Sequence, residues 1–233
     1  MQDFTFPQYI NLLKYPQISF RHDVDRKPNK SLKMAKLEHD KGIKSTYYFR
    51  MKPESYNEDI IKEIIKLGHE IGYHYESLCD SKGDFELGIS DFKKNLAILR
   101  ELYPVKKIAM HGRPTSPYDS RDLWKKYDYR DYGIEYEPYF DTNYNEVLYI
   151  TDAGRAWGDD SINRRDKVST KFDFDLTSLN KILTALANNE LPDKIIMNIH
   201  PEHWAENNLE WVVIFIKRKI RNFVKRIYLK MKR

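Results

Sequence analysis

The sequence predicts an α/β fold, a distorted (β/α) barrel of about seven parallel strands with a C-terminal amphipathic helix. The first observation behind this is a rhythm of short β-rich runs alternating with helical patterns of the length that parallel βαβ units use. The second is composition. The chain has 233 residues, 41% hydrophobic and 14% aromatic, with no internal repeat, low-complexity stretch or Gly/Ser linker, which is enough to bury a sizeable core. The third is that aspartates and histidines recur where β-rich runs end. Two regions follow, 1–210 as the barrel and 211–233 as a basic amphipathic helix.

Taken in order, 17–20 reads as the first strand and 28–41 as a helix, with Pro28 suited to its start, Leu32, Ala35 and Leu37 on its apolar side and Gly42 at its stop. A second strand at 45–50 precedes a helix at 57–67 ended by Gly68. The run 70–74 is a third strand, and 84–102 a long helix ended before Pro104. A fourth strand at 106–111 leads into a Pro-rich loop and a short helical stretch at 121–127. Further strands are expected at 133–140 and 146–151, followed by a polar loop at 152–171. A helix at 177–187, a strand at 194–200 and helix from 205 onward complete the pattern.

Charge is unevenly distributed. Residues 211–233 hold nine basic side chains and no acidic one, against 31 basic and 35 acidic groups in the rest of the chain. The positive balance of +5 therefore belongs to the tail, and an argument for an anionic partner has to be made there. Its apolar stripe, begun by Trp211, Ile214 and Phe215 and flanked by Lys and Arg, fits three outcomes: packing against the barrel, lying on an anionic membrane surface, or binding nucleic acid. Nucleic acid is the weakest, because no recognised nucleic-acid module is present. The longest nearly uncharged apolar run, 211–216, is far short of the ~20 residues a membrane span needs, and the N-terminal MQDFTFPQYI lacks a signal-peptide pattern. A single cysteine, Cys79, forms no internal disulfide. A cytoplasmic protein is expected, with peripheral contact at the inner face of the membrane.

His22, Asp23 and Asp25 follow the first strand, His74 ends the third, His111 the fourth, Asp152 follows a later one and His200 ends the last. In parallel α/β folds the C-terminal strand ends form one face, which gathers residues far apart in sequence. Carboxylates and neutral imidazoles are ligands for zinc and similar divalent ions, and a three-ligand site keeps a position open for water. A further carboxylate can take a proton from that water, and another histidine can protonate a leaving group. Singly, each signal has an ordinary explanation. An aspartate after a strand often caps a helix, and a strand-end histidine is more often a satisfied structural group. Their coincidence favours a site.

Several stretches resemble the polysaccharide deacetylase (NodB-homology) family, carbohydrate esterase family 4. Ile-Ser-Phe-Arg-His-Asp-Val-Asp-Arg at 18–26 is similar to a variant of its first motif, and Gly-His-Glu-Ile-Gly-Tyr-His at 68–74 resembles the stretch that brings a metal-ligand histidine to a strand end. His-Gly-Arg-Pro-Thr-Ser-Pro-Tyr at 111–118, Tyr-Ile-Thr-Asp-Ala-Gly-Arg-Ala-Trp at 149–157 and Asn-Ile-His-Pro-Glu-His-Trp at 198–204 resemble the third, fourth and fifth motifs, in family order. The resemblance implies a metal-dependent N-deacetylase acting on an N-acetylated sugar of a bacterial surface glycan, or its lipid-linked precursor, of O-antigen or capsule type. The metal would be zinc, with cobalt, nickel or manganese as alternatives. It implies Asp23 as base, His200 as acid poised by Asp152, and Asp25 and His74 as ligands, with the roles of the two first-motif aspartates open to exchange. Arg113 would fix a catalytic carboxylate, and Arg155, Trp157, Trp204 and Tyr118 would bind substrate. The family's second ligand histidine falls at Leu78 here. Either the metal loses a ligand, or His111 or Glu76 completes the set, or the chain is an inactive relative that binds carbohydrate or acts as a scaffold. Arg113 and Arg155 also read as surface-loop arginines, Trp157 and Trp204 as core edge, Cys79 as a small hydrophobe and His69 as a turn residue.

Overall fold

The structure is a computed structural model that describes residues 3–113, 115–158 and 165–231, with side chains of the last helix described as far as Val224. Pro114 of the 111–118 motif, residues 159–164 of the polar loop, the side chains of Lys225, Arg226 and Lys230, and residues 232–233 lie outside that description. In chain order the elements are α1 (Phe6–Leu12), β1 (Ile18–Val24), α2 (Pro28–His39), β2 (Thr46–Phe49), α3 (Glu58–Lys66), β3 (Glu70–Tyr75), α4 (Ser77–Asp80), α5 (Phe85–Arg100), β4 (Ile108–Met110), α6 (Pro138–Asp141), β5 (Leu148–Thr151), α7 (Leu179–Ala187), β6 (Ile195–Ile199) and α8 (Asn208–Met231). The strands are ordered β4-β3-β2-β1-β6-β5, and the pairs β2/β3, β3/β4 and β5/β6 are parallel.

The chain divides within β1 into two compact units, residues 22–142 and residues 1–21 with 143–233. In the first unit, β2 is buried at all four positions, as expected of a parallel strand covered on both faces. Its helices begin where the sequence supplies caps. The Asn57 side chain accepts from Ile60 N–H at the start of α3, and the Asp84 side chain accepts from Glu86 and Leu87 N–H at the start of α5. Ile60, Ile61 and Ile64 of α3, and Ile89, Phe92, Leu96 and Leu99 of α5, then fall on one buried side at helical spacing. They pack with Tyr47, Phe49, Ile71, Tyr73 and Tyr75 into one apolar cluster. Gly72 is required by close approach: a Cβ there would lie 2.3 Å from the Tyr48 ring and 3.1 Å from the Lys107 carbonyl.

In the second unit, Thr5 and Gln8 form a capping box that starts α1, and β5 pairs β6 in the register Leu148↔Ile195 to Thr151↔Asn198. Its core is aromatic: Trp204 is fully buried with its edge against Tyr9 and Phe4, and Phe4 stacks on Trp157 at 5.4 Å.

Among the described residues six strands form, where the sequence suggested about seven. The segment expected as a strand at 133–140 contributes one isolated bridge, Tyr136 to Lys107. Gly133 ends a 3-10 turn in the left-handed region at φ +70°, and Pro138, lacking an N–H, opens α6 with Glu137 accepting from Tyr139 N–H. Of the four residues between these two breaks, Tyr136 makes the bridge and Glu137 already caps α6. The helical stretch at 121–127 is the 3-10 helix Ser120–Lys125.

Candidate metal centre and acid dyad

In the unit 22–142, the chain leaves β1 through Asp23 and Asp25 and turns at Lys27, whose φ is +55°, into Pro28. Parallel pairing of β3 with β4 sets His74 against Ala109, and His111 N–H donates to the Tyr75 carbonyl just past β4. The two imidazoles therefore stand at adjacent strand ends, ring centroids 5.2 Å apart. His74 Nδ1 lies 2.9 Å from the Ala109 carbonyl, and a carbonyl only accepts, so Nδ1 carries a proton and donates to it. The His74 Nε2 is 3.5 Å from Asp25 Oδ1 and 3.7 Å from Asp23 Oδ2. His111 Nε2 is 3.4 Å from the same Asp25 oxygen, while its Nδ1 is 3.0 Å from Glu76 Oε2.

Behind these groups is a buried frame. Arg50 donates through Nε and Nη2 to Glu76 Oε1 at 2.9 and 2.7 Å, and through Nη1 to the Asp25 carbonyl at 3.2 Å. Glu76 is thus occupied in orienting His111, so it acts as a support rather than the remaining ligand considered above. Burial alone would favour its neutral form, but His111 and Arg50 outweigh it and hold the carboxyl down at about 2. Burial likewise opposes charge on His111, yet Asp25 and Glu76 push it up to about 9. On β1, the buried His22 Nε2 meets Glu38 Oε1 at 2.7 Å, and Tyr47 donates to Glu38 Oε2 at 2.6 Å. His69, read as a turn residue, bridges elements instead: it accepts from Ser45 N–H and donates to the Ala35 carbonyl.

Two of the three separations in the set Asp25, His74 and His111 suit a divalent cation, although among the described residues the group whose donor atoms all lie within 4.8 Å of one another is Asp152, His200 and His203. Two ligands bonded at ~2.0–2.1 Å to one tetrahedral ion stand about 3.4 Å apart, close to the two separations from Asp25 Oδ1 to imidazole nitrogen, 3.4 and 3.5 Å. Each imidazole has its other nitrogen committed to an oxygen, the usual support for a metal-ligand histidine. Leu78 is buried in the apolar cluster of this unit. Arg113 donates to Asp80 Oδ1 at 2.5 Å and lies 3.7 Å from Glu76 Oε2. Tyr118 packs its ring against Gly83 at the end of the α4 turn, and its carbonyl accepts from the Cys79 thiol.

In the other unit, Asp152 follows β5 and His200 follows β6. Fully buried, Asp152 accepts through Oδ1 from His200 Nδ1 at 2.7 Å and His200 N–H at 2.9 Å, and through Oδ2 from the Trp204 indole at 2.9 Å. Burial raises its carboxyl, but His203 and His200 outweigh that and keep it far below the usual carboxylate range. The pair holds the His200 ring through Nδ1, as in an imidazole oriented to exchange a proton. His203 stacks on His200 and is pushed down to about 3, first by burial and then by Arg218. Asp152, His200 and His203 offer atoms within 4.8 Å of one another. Asp152 and His203 are nevertheless almost wholly enclosed, and both Asp152 oxygens already serve N–H donors, so this cluster lacks the open position a catalytic ion needs.

Two expectations for sugar stacking are corrected. Trp157 and Trp204 are 3% and 0% exposed, closed in by Phe4 and Tyr9, so neither ring offers a face to a substrate. Arg155 is also buried, over Phe4 and Trp211, rather than displayed on a loop. Three supports were not singled out from sequence: Arg50, Glu38 and His203. Arg50 obeys the same positional rule as the ligands, standing at the end of β2, whereas Glu38 on α2 and His203 gave no comparable signal.

No family model matches the chain, and no curated protein matches it. Among solved structures, the chain is similar to a carbohydrate esterase family 4 pseudoenzyme from Bacillus anthracis, at 11% identity and a TM-score of 0.46, over 89% of this chain and 62% of that one. It is also similar to a Streptococcus mutans esterase of that family, at 13% identity and a TM-score of 0.46, over 95% and 88% of the two chains. A third is the family 4 domain of a multidomain xylanase from the hindgut metagenome of Trinervitermes trinervoides, at 12% identity and a TM-score of 0.45, over 89% and 82%. The chain spans less than two thirds of the length of the pseudoenzyme.

Proposed function

We propose that the chain is a metal-dependent carbohydrate N-deacetylase acting on an N-acetylated sugar of a surface glycan or its lipid-linked precursor. The observation that carries this is Asp25 Oδ1 within 3.5 Å of two imidazole nitrogens whose partner nitrogens are both held by oxygens. Asp25, His74 and His111 would hold the ion, zinc first, with cobalt, nickel or manganese as alternatives. When bound, a divalent cation supplies Lewis acidity to the amide carbonyl and to the attacking water. Asp23 accepts the proton of that water as its oxygen adds to the carbonyl carbon. The C–N bond then breaks, the amine nitrogen takes a proton from His200 Nε2, and acetate and a free amino sugar leave. Asp152 holds the His200 ring for that transfer, and Arg113 is assigned to orienting charge beside Glu76. The test is acetate release from free and lipid-linked N-acetylated sugars by zinc-loaded protein, with Asp23→Asn as control. Absence of release with every sugar from a protein that binds the ion would reject the reading.

A second reading, an inactive carbohydrate-binding relative, is favoured by Leu78, buried where the resemblance places a ligand histidine. Protein with no affinity for a divalent ion, yet binding the sugar, would select it.

We also propose that α8 lies on an anionic phospholipid surface, at the inner face of the membrane. Leu209, Val212, Val213, Ile216, Ile220, Phe223 and Val224 fall within one face at i, i+3, i+4, i+7 spacing, and all are exposed. Lys217, Lys219 and Arg221 flank that face. Two such helices would bring like charges together, which disfavours a second copy as the occupant. Among the described residues no helix is long and apolar enough to cross a membrane.

A further inference from the structure

The opposite side of α8 closes a cavity of about 320 Å³ within its own unit, lined by Arg155, Arg218, Lys219, Trp211, Phe4 and Asp3, among others. Arg155 is the anomaly there. It follows Gly154 in the 3-10 turn Ala153–Arg155 and adopts φ +57°, an uncommon conformation for a residue with a Cβ. The side chain is 9% exposed, and its Nε and Nη2 are buried with no hydrogen-bond partner among the described residues. Its faces are well served: the guanidinium carbon lies 5.3 Å from the Phe4 ring centre and 5.0 Å from that of Trp211. Ring faces hold a cation but leave its in-plane N–H donors unsatisfied, and buried bare donors are destabilising.

The neighbouring charges worsen this. Arg218 reaches Glu202 only at 3.8 Å, and Lys219 stands over Phe215, which stacks on Trp211. Against these cations, the lining carboxylate among the described residues is Asp3, which accepts from Leu179 N–H at the start of α7. Burial first, and then Arg218, pull Arg155 down to about 10, so it stays charged at neutral pH. Asn222 Nδ2 donates to the Gly154 carbonyl at 3.1 Å, tying the helix to the turn that aims Arg155.

We propose that this cavity is a binding site for a phosphate or phosphate-ester anion, held by Arg155 and Arg218 with Lys219 at its edge. A multiply charged anion with several acceptor oxygens answers bare guanidinium donors and the repulsion between cations together, which a single carboxylate does less well. The site stands whether or not the chain turns over a sugar.

The test is thermal unfolding and titration calorimetry of the full chain with sodium phosphate, against sodium chloride and sodium acetate at matched ionic strength. Phosphate should raise Tm by roughly 2–4 °C at concentrations well above its dissociation constant, and neither control should. Arg155→Gln removes a buried unsatisfied charge, so it should leave Tm without phosphate unchanged or higher, a result that a purely structural arginine would not give. The same variant should weaken phosphate binding roughly tenfold or more. Lys219→Gln, on an exposed side chain, should weaken it less without disturbing the fold. Vesicles of phosphatidylglycerol in phosphatidylcholine form the second arm. Loss of partition in Arg155→Gln would identify a lipid headgroup as the source, and unchanged partition beside lost phosphate binding would identify a soluble phosphate. A rise in Tm equal in chloride or acetate, or phosphate binding undiminished in Arg155→Gln, overturns the proposal.

Discussion

Asp25, His74 and His111 are distinguished from their neighbours by what holds them. Removing any one of them should lower affinity for the ion by orders of magnitude, because a three-ligand set loses a third of its donors. Asp23→Asn should retain the ion and lose about 10²–10⁴-fold in rate, as expected for a base. Equal loss of ion in Asp23→Asn and Asp25→Asn, read by calorimetric zinc titration, would show that the two aspartates share the ligand role. A pH dependence follows from His111. Its imidazole is raised from 6.5 to about 9, so without metal its pairing with Asp25 and Glu76 stabilises the fold fully below pH 6.5 and is lost as pH rises through about 9. Zinc has to displace the same proton, so its apparent affinity should climb with pH up to about 9. Metal-free Tm falling from pH 6.5 to 9 while zinc affinity rises is the expected pair of results; a flat zinc affinity over that range would contradict it. Legibility at this scale was uneven. A histidine or aspartate at a strand end is visible as a residue type in a position, but Glu38 reaches His22 only because α2 folds over β1, a relation that no spacing in the sequence reveals.

Most elements could be located from period and punctuation, since Asn57, Asp84 and Gly68 mark ends by the same capping chemistry that the structure uses. The segment 133–140 was misread because β-rich composition does not report the two backbone breaks within it. The indoles of Trp157 and Trp204 could be read as stacking rings or as core edge, and the second holds because Phe4 and Tyr9 bury them, a tertiary fact. Two predictions belong to elements. Gly72→Ala should cost about 1–3 kcal/mol, because the added methyl meets the Tyr48 ring and the Lys107 carbonyl, and should weaken zinc binding by shifting β3 beneath His74. Denaturant unfolding and zinc titration check both parts, and an unchanged midpoint would show that β3 yields freely. On α8, Ile220→Asp with Phe223→Asp should leave Tm within about 1 kcal/mol-equivalent of the parent, since both side chains are exposed, yet abolish sedimentation with phosphatidylglycerol vesicles. Binding by the parent should fall with added salt as screening shortens the field to ~8 Å at physiological ionic strength. Sedimentation unchanged by the two aspartates would assign the apolar face another occupant.

For the whole molecule, the alternation of strand and helix correctly implied a parallel α/β sheet, because that topology repeats one local pattern. It did not reveal the division within β1 into the units 22–142 and 1–21 with 143–233, since β1 reads as an unbroken strand. Each unit carries its own strand-end cluster: Asp25, His74 and His111 in one, Asp152, His200 and His203 in the other. We propose that the ion belongs to the first cluster, where one Asp25 oxygen lies within 3.5 Å of both imidazoles, and proton transfer to the second, whose carboxylate is saturated by N–H donors. Anomalous diffraction at the zinc edge from crystals grown with one equivalent of zinc decides between them. A single strong peak bonded to Asp25 Oδ1, His74 Nε2 and His111 Nε2 is expected, and a peak at Asp152, His200 and His203, or none at either cluster, would contradict that assignment.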